Sequence, residues 1–224
     1  PAGLYGDPKW VALPKGIVRP PVEVPKPPPP LLVTDDFETT KVGDQPTNAR
    51  VSGEENGASI RVTDATAGAG KHSLKFIDAP GLDREWQPHM YYQPRYNKGT
   101  VRFSFRVRME PGAILWHEWR DSSAPYKVGP SLRVMGDGAV VVGNKTLTKL
   151  ALSQWVGLDL TCPLGKQAGT WQLVVTAPGA APQTFADLTL GTADWRLLTW
   201  MGFISLATDT AVFHVDDMKM EVAQ

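Results

Sequence analysis

Regular alternation of apolar and polar side chains is the feature that most constrains how this chain folds. In TVRFSFRVRM, residues 100–109, apolar side chains occupy every second position from Val101 to Met109, and arginine or serine fills the positions between them. Successive side chains of a β-strand point to opposite faces of its sheet, so this pattern predicts a strand with one buried and one solvated face.

The same period of two recurs along the chain from residue 31 onward. Further predicted strands are residues 59–63, 73–77, 113–120, 131–135, 139–142, 156–162, 171–176, 183–186, 201–207 and 211–222. Turn signals such as GDG at 136–138 and GN at 143–144 separate them. Many short strands without a long amphipathic helix predict an all-β fold, a two-sheet antiparallel sandwich of jelly-roll type.

Proline divides the chain into two parts. The chain has 20 prolines, and they crowd toward RPPVEVPKPPPP, which ends at residue 30. Such a run favours an extended polyproline II conformation that holds neighbours apart. We therefore predict a linker within residues 1–30 and a β-sandwich domain over residues 31–224. The segment GLYGDPKWVALP, residues 3–14, belongs to the tail of an upstream domain or docks on the flank of this one.

Charge and cysteine content disfavour several classes of function. Lys+Arg and Asp+Glu balance at 23 each, so the chain lacks the positive field that drives binding to nucleic acid. The sequence contains no apolar run long enough to span a membrane and no signal-peptide pattern. We therefore expect neither a membrane span nor a signal peptide in it. The single cysteine, Cys162, is predicted to be buried by the alternation around it.

Six stretches carry a resemblance to a known group of domains. They are DDFETTKVGDQP, GKHSLKFID, PSLRV, QWVGLDLTC, GFISLA and VFHVDDMKMEV. In this order, over residues 33–222, they resemble landmarks of concanavalin A-like jelly-roll domains of the carbohydrate-binding-module and laminin-G-like kind. The resemblance implies a lectin-like accessory domain at the C-terminus of a larger bacterial protein, placed outside the cell or on its surface.

Acidic residues at both ends of the domain have a counterpart in these domains. The resemblance implies that the first and last strands pair, which brings the acids of TDDFE close to those of HVDD. Domains of this kind often hold a structural Ca²⁺ there, since calcium takes carboxylate and carbonyl oxygens. The ligands carried over by position are Glu38, Asp36, the backbone of His72, and Asp216 or Asp217. The alternative is that these acids are solvated charges that protect a sheet edge.

Aromatic and charged residues in LWHEWRD suggest a ligand-binding strand. Alternation places Trp116 and Glu118 on one face and His117 and Trp119 on the other, so one tryptophan is expected in the core and the other to stack on a sugar ring. The polar face of the preceding strand is expected to bring Arg106 and its neighbours alongside. Arg106 and Arg108 are then candidates to bind acidic sugars, although a merely solvated arginine face explains the pattern equally well.

A second aromatic stretch is REWQPHMYYQPRYNKG, residues 84–99. Its two prolines and mixed composition predict a long loop that binds ligand or caps an open end of the sandwich. The candidate binding residues in it are Trp86, Tyr91, Tyr92, Arg95 and Tyr96.

Catalysis has little support in the sequence. The paired carboxylates of a retaining glycosidase, the HExxH and GxSxG motifs and the P-loop are missing, and RYNKG resembles only one fragment of the polysaccharide lyase pattern. We expect a non-catalytic carbohydrate-binding module. A structural or adhesion module is the second hypothesis, and a lyase acting on acidic glycan is the third.

Overall fold

The structure is a computed structural model that describes Lys26 and residues 28–223. The predicted linker and upstream tail, residues 1–30, lie almost entirely outside these residues. Fifteen strands are present in the described part, and one 3₁₀ turn (Gly165–Gln167) is the helical element there. None of the helical structure in that part is long and apolar enough to cross a membrane.

The strands account for most of the alternation in the sequence. They are β1 (Thr34–Asp35), β2 (Arg50–Ser52), β3 (Ser59–Thr63), β4 (Ser73–Asp78), β5 (His89–Tyr92), β6 (Thr100–Met109), β7 (Leu115–Arg120), β8 (Val128–Val134), β9 (Ala139–Val142), β10 (Lys145–Lys149), β11 (Trp155–Pro163), β12 (Thr170–Thr176), β13 (Gln183–Thr189), β14 (Trp200–Ser205) and β15 (Ala211–Ala223).

These strands form two antiparallel sheets. The first sheet has eight strands in the order β13-β12-β11-β6-β15-β4-β3, with β1 also paired to β15. The second sheet has seven strands in the order β10-β9-β8-β7-β14-β5-β2. The predicted all-β, two-sheet antiparallel sandwich is therefore confirmed.

Aromatic side chains of the two inner faces meet in the core. Phe105 of β6 in the first sheet packs edge-on against Phe203 of β14 in the second, with ring centroids 5.0 Å apart. Phe103 stacks on His117 of β7 at 5.6 Å. Burial of such side chains removes a large apolar area from water, which provides the main driving force for association of the two sheets.

The first and last strands pair, as the resemblance implied. Thr34 lies opposite Lys219 and Asp35 opposite Met218 in the antiparallel β1–β15 ladder. A register shift follows Asp216 in β15, and Asp217 there has a φ of 50°, a left-handed conformation typical of a β-bulge. The two ends of the domain are thus joined within one sheet.

The aromatic stretch 84–99 differs from the predicted loop. Its central residues form β5, which lies between β14 and β2 in the second sheet. Pro88 and Pro94 flank this strand, so that proline interrupts neither of its two ladders. Tyr91 consequently lies on a sheet face, and Tyr92, on the opposite face of the strand, is buried in the core.

Candidate functional site

The outer face of the second sheet gathers aromatic and arginine side chains. We call this surface the aromatic–arginine face; its members are Tyr91, Trp116, Arg120, Tyr126, Arg133 and Trp200. Four neighbouring strands, β5, β14, β7 and β8, supply all but Tyr126, which lies in the loop after β7. Along these strands, side-chain alternation places Met90, Trp119 and Phe203 in the core. It places the strand residues of the aromatic–arginine face on the opposite side of the sheet.

Trp200 lies flat against its own strand. A Cβ atom on Gly202 would come within 2.1 Å of the indole ring, so only glycine leaves room for the ring at that point. Tyr91 lies opposite Gly202 on β5 and stacks on Trp200 with ring centroids 5.4 Å apart. The indole is therefore held against the sheet on its outer face, where the ring is half-buried.

Arg120 links the aromatic rings to one another. Its guanidinium lies 4.2 Å from the ring centroid of Trp200, 4.4 Å from that of Tyr126 and 5.8 Å from that of Trp116. These distances fall within the range of cation–π attraction. The arginine therefore fixes the rings relative to each other.

A buried carboxylate holds Arg120 in place. Glu118 forms an ion pair with Nε of Arg120, and the glutamate side chain is only 2% exposed. Burial raises the pKa of Glu118, while the positive charges of Arg120 and Arg133 oppose that rise. Because the carboxylate engages Nε, the Nη edge of the guanidinium is not used by this pair.

Trp116 is oriented by two residues of β8. Its Nε1–H donates a hydrogen bond to Oγ of Ser131 at 2.9 Å. The guanidinium of Arg133 lies 4.7 Å from its ring centroid. Trp116 and Trp200 are thus both fixed by neighbours, and such preorganisation lowers the entropic cost of binding a ligand.

A pocket of about 400 Å³ adjoins Trp200 at one end of the face. It is lined by Gln93, Arg95, Arg120, Asp121, Ser122, Tyr126, Thr199 and Trp200. Aromatic rings, hydroxyl groups and guanidinium groups surround the same space, which is the mixture expected for a polar ring-shaped ligand.

The candidate residues of β7 separate as alternation predicts. Trp116 is half-buried on the outer face, whereas Trp119 is fully buried, so the core tryptophan of the pair is Trp119. His117 is also fully buried, and its Nε2 accepts a hydrogen bond from Nε1 of Trp119 at 3.0 Å. Neither buried side chain reaches the surface where a ligand would bind.

The expected position of the β6 arginines is wrong. Strand β6 belongs to the first sheet, so Arg106 and Arg108 do not lie beside Trp116 of the second. Arg106 forms an ion pair with Asp217 at 3.0 Å, and Arg108 forms one with Glu110 at 2.7 Å. These arginines belong to a solvated, internally paired surface on the other side of the sandwich.

The candidates from the stretch 84–99 are dispersed. Tyr91 lies on the aromatic–arginine face, and Arg95 lines the pocket beside Trp200. Tyr96 forms an isolated bridge with Leu198 and packs against the core. Trp86 is 49% exposed in the loop before β5, under the guanidinium of Arg84.

The sequence reasoning missed Arg120, Tyr126, Arg133 and Trp200. Arg120 ends LWHEWR two residues after Glu118, so its place on the face with Trp116 was available from the alternation. The strand predicted at 201–207 began one residue too late to include Trp200. Tyr126 and Arg133 carry no local signal, because only the pairing of β7 with β8 and the loop between them bring these two residues close to the tryptophans.

The acidic residues at the paired termini contact the loop before β4. Glu38 Oε1 accepts hydrogen bonds from the backbone N–H groups of Lys71 and His72, each at 2.8 Å. Asp216 Oδ2 accepts two more from the same loop, at 2.7 and 3.1 Å. Burial raises the pKa of Asp216 to about 6, in spite of these donors.

The other predicted metal ligands have local partners. Asp36 Oδ1 accepts a hydrogen bond from the N–H of Glu38 at 3.2 Å, and Asp217 pairs with Arg106. Within residues 28–223 no three His, Cys, Asp or Glu side chains form a group that could hold a metal ion. Side chains alone therefore do not build a calcium cage there.

Comparison with known proteins identifies the fold. No family model and no curated protein matches the sequence. Among solved structures, the chain is similar to an endo-β-1,4-glucuronan lyase from the fungus Trichoderma reesei, at 10% identity over 85% of this chain and 95% of that one, with a TM-score of 0.58. It is also similar to the cellulose induced protein Cip1, at 16% identity, 84% and 96% coverage and a TM-score of 0.56.

A third similar structure is a carbohydrate esterase from the Shiga toxin-encoding bacteriophage phi24B. Its identity is 13%, the coverage is 79% of this chain and 91% of that one, and the TM-score is 0.55. At such identities the likeness concerns the fold. The chain is a jelly-roll β-sandwich, and its function has to be argued from its own side chains.

Proposed function

We propose that this protein binds carbohydrate at the aromatic–arginine face. It would do so as a non-catalytic, lectin-like module of a larger protein outside the cell or on its surface, which is the role that the sequence resemblance implies. The observation that carries the proposal is the half-buried indole of Trp200 on the outer face of the second sheet, fixed there by Gly202, Tyr91 and Arg120.

The chemistry of this face suits a sugar chain. The C–H faces of a pyranose ring stack on an indole, and its hydroxyls need charged or polar partners at the rim. Trp200 and Trp116 supply two aromatic rings, and the guanidinium of Arg120 lies 4.2 Å from the ring centroid of the first and 5.8 Å from that of the second. Two such rings suit consecutive units of a polysaccharide better than a single small molecule.

Replacing Trp200 with alanine tests the proposal. We expect binding of a soluble polysaccharide to weaken by tenfold or more, because a preorganised aromatic anchor typically contributes about 2 kcal/mol or more at a binding surface. Isothermal titration with β-glucan, xylan, galactan and polyuronate measures the affinity. Trp116→Ala is expected to weaken binding as well.

Trp86→Ala provides the matched control. Trp86 is exposed in the loop before β5 and does not belong to the aromatic–arginine face, so its removal should leave the affinity unchanged. Equal affinity of the wild-type protein and the Trp200→Ala variant for the same polymer would refute a binding site at this face.

We further propose a structural Ca²⁺ at the paired termini. Glu38 and Asp216 face one loop, and calcium prefers such oxygen donors. Backbone carbonyl oxygens would have to complete the ligand set, because the side chains do not suffice. The buried Asp216 supports the proposal, since a bound cation would favour the ionised carboxylate whose pKa burial has raised.

Thermal unfolding in EDTA and in millimolar calcium tests this site. An ion present at a free concentration of about a hundred times its Kd stabilises the folded state by about 2.7 kcal/mol. For a domain of this size, that corresponds to a rise of the unfolding midpoint by roughly 5–10 °C. Glu38→Gln and Asp216→Asn should abolish the rise, and Glu55→Gln, at an exposed acid in the loop between β2 and β3, should keep it. Identical unfolding midpoints of the wild-type protein in both buffers would contradict a calcium site. The acids would then be only hydrogen-bonded residues at the strand ends.

A further inference from the structure

We propose that the carbohydrate bound at the aromatic–arginine face is acidic, and that Arg95 and Arg133 bind its carboxylate or sulfate groups at the two ends of the face. This inference rests on the proposed carbohydrate-binding function and adds the chemical class of the ligand. The observation behind it is that, among the residues that the structure describes, two arginines of this face form no ion pair, whereas those of the opposite face do.

Arg133 forms no ion pair with an acidic side chain of the described residues. Its side chain is exposed, and its guanidinium lies over the ring of Trp116. It also lines a pocket of about 250 Å³ together with Ser131 and Asn144. A guanidinium next to hydroxyl and amide groups can bind a planar carboxylate or a sulfate through two parallel hydrogen bonds.

Arg95 is the corresponding residue at the other end. It lines the pocket beside Trp200, and within the described part of the chain its side chain donates one hydrogen bond, to the neutral Oε1 of Gln93 at 3.3 Å. Its backbone has a φ of 62°, a left-handed conformation that non-glycine residues rarely adopt. The bridge between Tyr96 and Leu198 holds the next residue in place. Strained residues of this kind concentrate at binding sites.

The acidic side chains near the face do not neutralise these two arginines. Glu118 is buried and forms its ion pair with Arg120, and its charge acts on Arg133 without an ion pair between the two. Asp121 lines the pocket as an ionised carboxylate, but its Oδ1 is directed to its own loop by three hydrogen bonds from Ser123 and Lys127, and it forms no ion pair with Arg95. An anionic ligand would therefore meet two unpaired guanidinium groups without displacing an existing ion pair.

The opposite surface of the sandwich differs in this respect. On the outer face of the first sheet, Arg102 pairs with Asp159, Arg106 with Asp217 and Arg108 with Glu110. Each of those arginines is neutralised by its own partner. The net charge of the protein is zero, so the surplus at the aromatic–arginine face is local. Selectivity for an acidic glycan is thus expected from the second sheet alone.

Matched pairs of polymers test the inference. Polygalacturonate and its fully methyl-esterified form differ in carboxylate charge, and dextran sulfate and dextran differ in sulfate. We expect the wild-type protein to bind the acidic member of at least one pair about tenfold more tightly than the neutral member, since hydrogen bonds between charged groups are the stronger ones. The carboxylate and sulfate pairs identify which anion is preferred. Raising the salt from about 0.05 to 0.5 M should reduce this preference.

Substitutions locate the effect. Arg95→Gln and Arg133→Gln should each weaken binding of the acidic polymer by about tenfold and weaken binding of its neutral counterpart by a clearly smaller factor, so that the preference for the acidic member shrinks. Arg102→Gln removes the same charge from the first sheet and serves as the control for non-specific attraction. An equal loss in Arg102→Gln would show that the whole protein's field, rather than this face, attracts the polymer, and would overturn the inference.

Failure of this inference is distinguishable from failure of the proposed function. Equal affinity for acidic and neutral members, unaffected by Arg95→Gln and Arg133→Gln but lost in Trp200→Ala, overturns the acidic specificity and leaves carbohydrate binding at the face. Absence of binding to these four polymers and to β-glucan, xylan and galactan overturns both.

Discussion

Replacing Arg120 with glutamine is expected to lower the free energy of unfolding at pH 7 by about 3 kcal/mol. The substitution leaves the carboxylate of Glu118, whose side chain is 2% exposed, without its ion-pair partner. Removal of one member of a buried ion pair costs about 3–5 kcal/mol because the remaining charge is uncompensated. Chemical denaturation at pH 7 measures the loss, with Arg50→Gln at the exposed edge of the same sheet as the control.

The pH dependence of this loss identifies its cause. Burial raises the pKa of Glu118 in the folded protein, and Arg120 opposes the rise, so the variant should have a still higher folded pKa. A carboxyl group whose pKa is higher in the folded than in the unfolded state destabilises the fold at pH values above the folded pKa. This destabilisation disappears at low pH, where the group is protonated in both states. The deficit of Arg120→Gln relative to the wild type should therefore shrink as the pH falls.

A double variant completes the test. In Arg120→Gln/Glu118→Gln the uncompensated charge is gone, so most of the lost stability should return. If the double variant is as unstable as Arg120→Gln at pH 7, the loss comes from the contacts of the guanidinium with Trp200 and Tyr126 rather than from Glu118.

The alternation in β7 was sufficient to sort its residues between core and surface. Trp116 and Glu118 lie on the outer face and His117 and Trp119 in the core because the side-chain period of a strand is two wherever one face is buried. The same rule predicted the all-β fold, because side-chain alternation and turn signals depend on neighbours in sequence. The pairing of the terminal strands was implied by the sequence resemblance alone.

Alternation did not predict which strands pair with one another. Strands β6 and β7 follow one another in the chain but belong to different sheets, because β6 pairs with β11 and β15, which come far later in the sequence. Alternation gives the buried face of a strand and not its sheet. Arg106 was therefore placed beside Trp116 in error, and Arg133, which β8 brings to that tryptophan, was overlooked.

Short strands between prolines were also hidden from sequence reasoning. Strand β5 has four residues, and Pro88 and Pro94 lie on either side of it. A pattern of that length contains too few alternations to separate a strand from a loop. Its place in the second sheet is set by ladders to β14 and β2 that lie far away in sequence, and these ladders bring Tyr91 onto Trp200.

Acid is expected to destabilise the fold through His117. Burial lowers the pKa of this imidazole to about 3, and the hydrogen bond from Nε1 of Trp119 to its Nε2 requires the ring to be neutral there. In the unfolded chain a histidine titrates near 6.5. As the pH falls below about 6.5, the unfolded state therefore takes up a proton that the folded state does not, and stability falls by about 1.4 kcal/mol per pH unit until the pH approaches the folded pKa.

His117→Gln isolates this contribution, since glutamine retains a hydrogen-bond acceptor and does not titrate. Between pH 6 and pH 4.5 the free energy of unfolding of the variant, measured with urea, should fall less steeply than that of the wild type by one proton, about 1.4 kcal/mol per pH unit. Trp119→Phe is the matched control, because it removes the indole donor but keeps the imidazole, so it should lower stability and preserve the slope. His214, whose pKa burial lowers to about 4, contributes a second slope that both variants retain. Equal pH slopes for the wild type and His117→Gln would contradict this prediction. They would mean that His117 takes up its proton at the same pH in the folded and unfolded states. A protonated Nε2 could not accept the hydrogen bond from Trp119.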